Sequence, residues 1–106
     1  MKGGDKKMAK VRKYTMIWGA SPDTDVTRYF VRATQSPAVP DYDTPYDDVG
    51  NVTQCDLPLP HTPLIDGDLT VALTAVDDVG NESDMVMMTV PFDLVVPAPP
   101  TGLQML

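Results

Sequence analysis

Apolar and polar side chains alternate with period two along most of this chain, and eleven prolines and seven glycines cut the alternation into short pieces. Successive side chains of a strand point to opposite faces, so the pattern predicts several half-buried β-strands. No segment carries apolar residues at the i, i+3, i+4, i+7 spacing that a packed helix needs. The first strand is expected over residues 11 to 20, with Tyr14, Met16 and Trp18 facing the core and Lys13, Thr15 and Ile17 facing away. Gly19-Ala20-Ser21-Pro22-Asp23 is turn chemistry and ends it. The second, over residues 26 to 34, sets Tyr29, Val31 and Ala33 on one face and Arg28, Phe30 and Arg32 on the other.

Residues 35 to 68 hold Pro37, Pro40, Pro45, Pro58, Pro60 and Pro63, which exclude a long central strand. A loop is expected over 35 to 46, an edge strand over 52 to 57, and a further extended piece before the turn Ile65-Asp66-Gly67-Asp68. The strongest strand follows, with Leu69, Val71, Leu73 and Ala75 on one face and Thr70, Ala72, Thr74 and Val76 on the other. A last strand over 84 to 92 alternates Val86, Met88 and Val90 with Met87 and Thr89, and Pro91 is expected to break its end. Asp-Asp-Val-Gly-Asn occurs at 47 to 51 and again at 77 to 81, and both copies read as tight turns of similar geometry. The expected core is Tyr14, Met16, Trp18, Tyr29, Val31, Leu69, Val71, Leu73, Ala75, Val86 and Met88.

With 106 residues, 42% of them hydrophobic, the chain suits one globular domain. No apolar run approaches the ~20 residues of a membrane-spanning helix. A basic start followed by the short stretch Tyr14 to Gly19 does not make a secretory signal, so the chain is either cytosolic as written or has lost a leader. The net charge of −7 is divided unevenly. Lys2, Lys6, Lys7, Lys10, Arg12 and Lys13 against Asp5 alone give the first 13 residues +5, and Arg28 and Arg32 against the other fourteen acids leave −12 on the rest. Residues 1 to 10 therefore read as a basic, flexible arm on an acidic body, and the body lacks the continuous basic face that nucleic acid requires. Cys55 is the only cysteine, which excludes an internal disulfide and a cysteine-based zinc site.

In order and detail these elements resemble the fibronectin type III family. The resemblance rests on Tyr14-x-Met16-x-Trp18 followed by a Pro22 turn, on Tyr29-Phe30-Val31, and most specifically on Leu69 through Ser83, ending Ala75-Val76-Asp77-Asp78-Val79-Gly80-Asn81-Glu82-Ser83. It covers residues 11 to 91 and implies an all-β fold, a two-sheet antiparallel immunoglobulin-like sandwich of about seven strands. Leu69 stands where the family usually has a tyrosine, so one hydroxyl hydrogen bond worth ~1 kcal/mol is lost while burial is kept. The family's opening strand has no counterpart in residues 1 to 10. Residues 93 to 106 instead form a proline-rich linker and a segment, Pro97-Ala98-Pro99-Pro100-Thr101-Gly102-Leu103-Gln104-Met105-Leu106, that looks like that strand. Three placements follow for it: the sheet of its own chain, the sheet of a neighbouring copy as a swapped dimer or filament, or the start of a following module. Pro99, Pro100, Leu103 and Met105 are the residues expected to make the contact.

No catalytic residue or cofactor is expected. His61, the sole histidine, lies in the surface loop Leu59-Pro60-His61-Thr62-Pro63, and no phosphate-binding or HExxH motif occurs. Asp41, Asp43, Asp47 and Asp48 crowd one loop, but Tyr46 stands where an EF-hand beginning at Asp41 needs glycine. Asp77, Asp78, Asn81 and Glu82 are the calcium candidates, although turn geometry alone accounts for Asp77, Gly80 and Asn81. Tyr42 and Tyr46 are candidates for a sugar platform. The sequence therefore predicts a non-catalytic structural or interaction module with protein partners and an extracytoplasmic setting. The rival readings are a self-assembling subunit and a carbohydrate-binding accessory domain.

Overall fold

A computed structural model describes residues 14–106. Six strands form in them: β1 (Tyr14–Ile17), β2 (Val26–Gln35), β3 (Asp47–Gly50), β4 (Gln54–Leu57), β5 (Gly67–Asp77) and β6 (Val86–Phe92), with no helix among the described residues. All pairings are antiparallel. A two-stranded sheet, β1-β4, faces a four-stranded sheet in the order β3-β2-β5-β6, a sandwich-like arrangement. The basic arm and the first residues of the expected opening strand lie outside the described residues.

β2 and β5 are the long central strands because their β-branched and aromatic residues suit a pleated surface covered on both sides. Their register sets Val31 opposite Leu73 and Ala33 opposite Val71. Between the sheets Leu57, Leu69, Val71 and Phe92 are buried, with Tyr14 and Met16 of β1 packed on them. The Tyr14 and Phe92 rings meet edge to face at 4.7 Å and tie the small sheet to the large one. Leu69 is buried, as its place in the expected core requires.

Four expectations need correction. The first Asp-Asp-Val-Gly-Asn copy is a strand for most of its length, not a turn: Asp48 pairs with Phe30 and Asp47 with Val31 of β2, and Gly50 ends it at φ 80°. Only the second copy is a turn, with Gly80 at φ 93°. Pro91 does not break β6; it lies within the strand opposite Asp68, as an edge strand permits. Trp18 is half-buried beyond the end of β1, against Tyr29 at 5.7 Å, so the centre of the core belongs to Leu57, Leu69, Val71 and Phe92. Val86 and Met88, placed in the core by their alternation, are 71% and 60% exposed. Of the other expected core residues, Tyr29 and Val31 are buried with Leu69 and Val71, while Tyr14, Met16, Leu73 and Ala75 are half-buried.

The second face of the large sheet is also covered. Phe30, Arg32, Thr70, Ala72, Thr74 and Val76 are all buried there, where alternation had set Arg32 apart from the core face. The cover includes the loop between β2 and β3, which brings Tyr46 flat onto Phe30 at 3.9 Å and Tyr42 over Arg32. Asp41 shapes that loop by accepting the Asp43 and Thr44 N–H groups.

Candidate functional site

β1 borders β4 alone, so its other edge has no strand beside it among the described residues. The Trp18 N–H donates to the Thr53 carbonyl, which fixes the parity of the ladder. In an antiparallel pair alternate residues bond to the same neighbour. Met16 therefore bonds to β4 with Trp18, and the N–H and C=O groups of Thr15 and Ile17 point to the open edge. Beside that edge runs an apolar groove of about 600 Å³, walled by β1 (Tyr14 through Ile17) on one side and by Met88, Val90 and Phe92 of β6 on the other. Val86 and Met88 are exposed because this side of the sandwich has no covering strand among the described residues. An unpaired strand edge beside apolar surface is a template for an added strand.

The tail beyond β6 carries no strand. Its start is fixed: the Leu94 N–H donates to the Asp66 carboxylate at 2.9 Å, and Leu94 packs on the core. From Val95 onward every residue is exposed, Pro99, Pro100, Leu103 and Met105 included. The tail is thus not paired with its own sandwich.

The acidic candidates separate. Glu82 turns inward and accepts both guanidinium ends of Arg32, at 2.7 and 3.1 Å, together with the Thr74 hydroxyl at 2.7 Å. The bond to Arg32 is the main reason its carboxyl lies below the ordinary glutamate value; partial burial opposes the shift and the Thr74 bond reinforces it. Arg32 also donates to the Thr44 carbonyl at 3.0 Å and lies within 6.0 Å of the Phe30, Tyr42 and Tyr46 rings. Asp77 accepts the Asn81 N–H, the Asn81 side-chain amide and the Val79 N–H, and the Asn81 bonds chiefly lower its pKa.

The structure gathers Asp77 and Asp78 with Asp25, which the sequence reading missed because it lies some fifty residues away at the start of β2. In the first acidic loop Asp41 serves its own turn, while buried Asp47 accepts the His61 N–H and the Thr62 hydroxyl. Those carboxylates hold the chain in place. The hydroxyl of Tyr42 donates to the Ser83 carbonyl, so both candidate sugar-platform tyrosines are engaged around Arg32 with their outer parts exposed.

Cys55 sits half-buried on β4, and burial above all, with Asp56 and Asp47 nearby, raises its thiol pKa. A raised pKa keeps the thiol protonated and poorly nucleophilic. Among the described residues, no helix is long and apolar enough to cross a membrane. No family model, no curated protein and no solved structure matches this chain.

Proposed function

We propose that the chain is a non-catalytic structural and interaction module of the fibronectin type III kind, working through the open side of its sandwich. In the immunoglobulin frame, β1 and β4 stand as the paired B and E strands, and β2, β5 and β6 as C, F and G. Among the described residues, the outer strand beside β1 is the one unaccounted for. The observation that carries the reading is the pairing of the β1 edge with the largely apolar groove, whose wall includes the exposed Met88. The polar chemistry of the chain supports it as well, because Glu82, Asp47 and Asp77 are each engaged in holding a turn or a strand.

A display library of short random peptides, panned on sparsely immobilised protein, tests the reading. Enrichment of extended sequences with alternating apolar residues is expected. Their binding should be lost in Met88→Asp, a change at an exposed position that leaves the core intact. Absence of enrichment, or binding that survives Met88→Asp, overturns it.

A further inference from the structure

Resting on that reading, we propose that the groove beside β1 is filled by residues 101 to 106 of a second copy of this chain, running antiparallel to β1. Leu103 and Met105 would face inward opposite Met16 and Tyr14.

The chemistry of the segment fits the groove. Thr101-Gly102-Leu103-Gln104-Met105-Leu106 carries no side-chain charge, and Leu103 and Met105 fall on one face of a strand. Both are fully exposed in the single chain, at 102% and 96%. Adding the segment as a strand covers them together with the exposed Met88, and it supplies partners for the Thr15 and Ile17 backbone groups. The N-terminal arm is a poorer occupant, because six of its first 13 residues are cationic and the groove walls are apolar except for Thr15 and, at the β6 end, Asp93.

Direction decides between the chain's own tail and that of a neighbour. Tyr14, where β1 begins, touches Phe92, where β6 ends, so the tail leaves the sandwich at the end where β1 starts. An antiparallel partner of β1 must enter from the Ile17 end. The tail is held to Asp66 at Leu94, leaving residues 95 to 100 to return along the sandwich and reverse. Those six residues reach ~20 Å when fully extended. Pro97, Pro99 and Pro100 fix their own φ and bias the residues before them toward extended backbone, which opposes a reversal. The same stiff, projecting segment is well suited to carry Leu103 and Met105 to another molecule. Groove and tail are different surfaces, so the contact is head-to-tail and either closes as a swapped dimer or continues as a chain.

Light scattering on separated species, with two complementary full-length variants, tests this. Leu103→Asp with Met105→Asp disables the tail and keeps the groove; Met88→Asp disables the groove and keeps the tail. The unmodified chain is expected to have the mass of two or more copies, each variant alone that of one, and their mixture that of a one-to-one complex. The assembly should survive ~1 M salt, where the Debye length is only ~3 Å. A synthetic peptide of residues 97 to 106 should raise the melting temperature of the tail variant, and the same peptide carrying Leu103→Asp should not. An unmodified chain that stays monomeric at high concentration, a mixture that does not combine, or an assembly dissolved by salt overturns the proposal. A monomeric chain that still selects alternating display peptides through Met88 sinks this inference and leaves the interaction-module reading standing. Failure of both sinks the reading itself.

Discussion

Replacing Glu82 with alanine is expected to lower the unfolding free energy by about 3 kcal/mol or more, the usual cost of stranding one member of a buried ion pair. For a domain of this size that lowers the melting temperature by on the order of 15 °C. Arg32 is 2% exposed, so its guanidinium would lose both carboxylate oxygens in a largely buried place. The double replacement Arg32→Met, Glu82→Met should cost clearly less than Glu82→Ala, since it removes the buried charge along with its partner. Thermal and urea unfolding of the three proteins checks this. A loss under about 1 kcal/mol for Glu82→Ala would mean that Arg32 is solvated and the loop of Tyr42 and Tyr46 does not cover it.

The same pair gives stability a definite dependence on pH. Arg32, and secondarily Thr74, hold the folded Glu82 carboxyl below its ordinary value, so the unfolded chain takes up the proton more readily. The contribution is therefore complete above the unfolded value of about 4.3 and is lost as pH falls through the lowered folded value. Glu82→Gln should flatten that part of the acid limb.

Phe92→Ala is the second large effect, with an expected loss of about 3–5 kcal/mol. Phe92 is 5% exposed and lies where three groups of residues meet: Tyr14 of β1, Leu57 of β4, and Leu69 and Val71 of β5. Truncating it opens a cavity between the sheets and removes the ring contact that ties Tyr14 of β1 to β6. Val86→Ala, three turns of the pleat earlier on the same strand, should change stability by under about 0.5 kcal/mol in a monomeric chain, because Val86 is exposed. Equal losses at the two positions in urea titrations would place Val86 in the core and contradict the open side.

Much of this architecture was legible in the residues. Alternation located β2, β5 and β6 to within a few positions, and it put Tyr29, Val31, Leu69 and Val71 on buried faces. Composition misled at Asp47–Gly50, where turn-forming residues make a strand because β2 offers an edge and Asp47 finds donors in His61 and Thr62. Periodicity tells which side chains share a face, but it does not tell whether anything lies opposite that face. On that account alternation assigns Val86 and Met88 to the core and sets Arg32 on the face away from it. The burial of Arg32 depends on a loop contact twelve residues away and an ion pair fifty residues away, beyond the reach of any local pattern. A faint signal was present: Arg32 sits two residues from Phe30, near the loop tyrosines, and Glu82 is the only glutamate in the chain.

Site-resolved amide hydrogen exchange on the monomeric Leu103→Asp, Met105→Asp chain examines that open edge without reference to any partner. The amides of Met16 and Trp18, directed to β4, should exchange slowly, and those of Thr15 and Ile17, directed into the groove, should exchange at rates close to those of unpaired residues. Uniform protection of all four would show that the edge is already covered, and the open-sided sandwich would have to be abandoned.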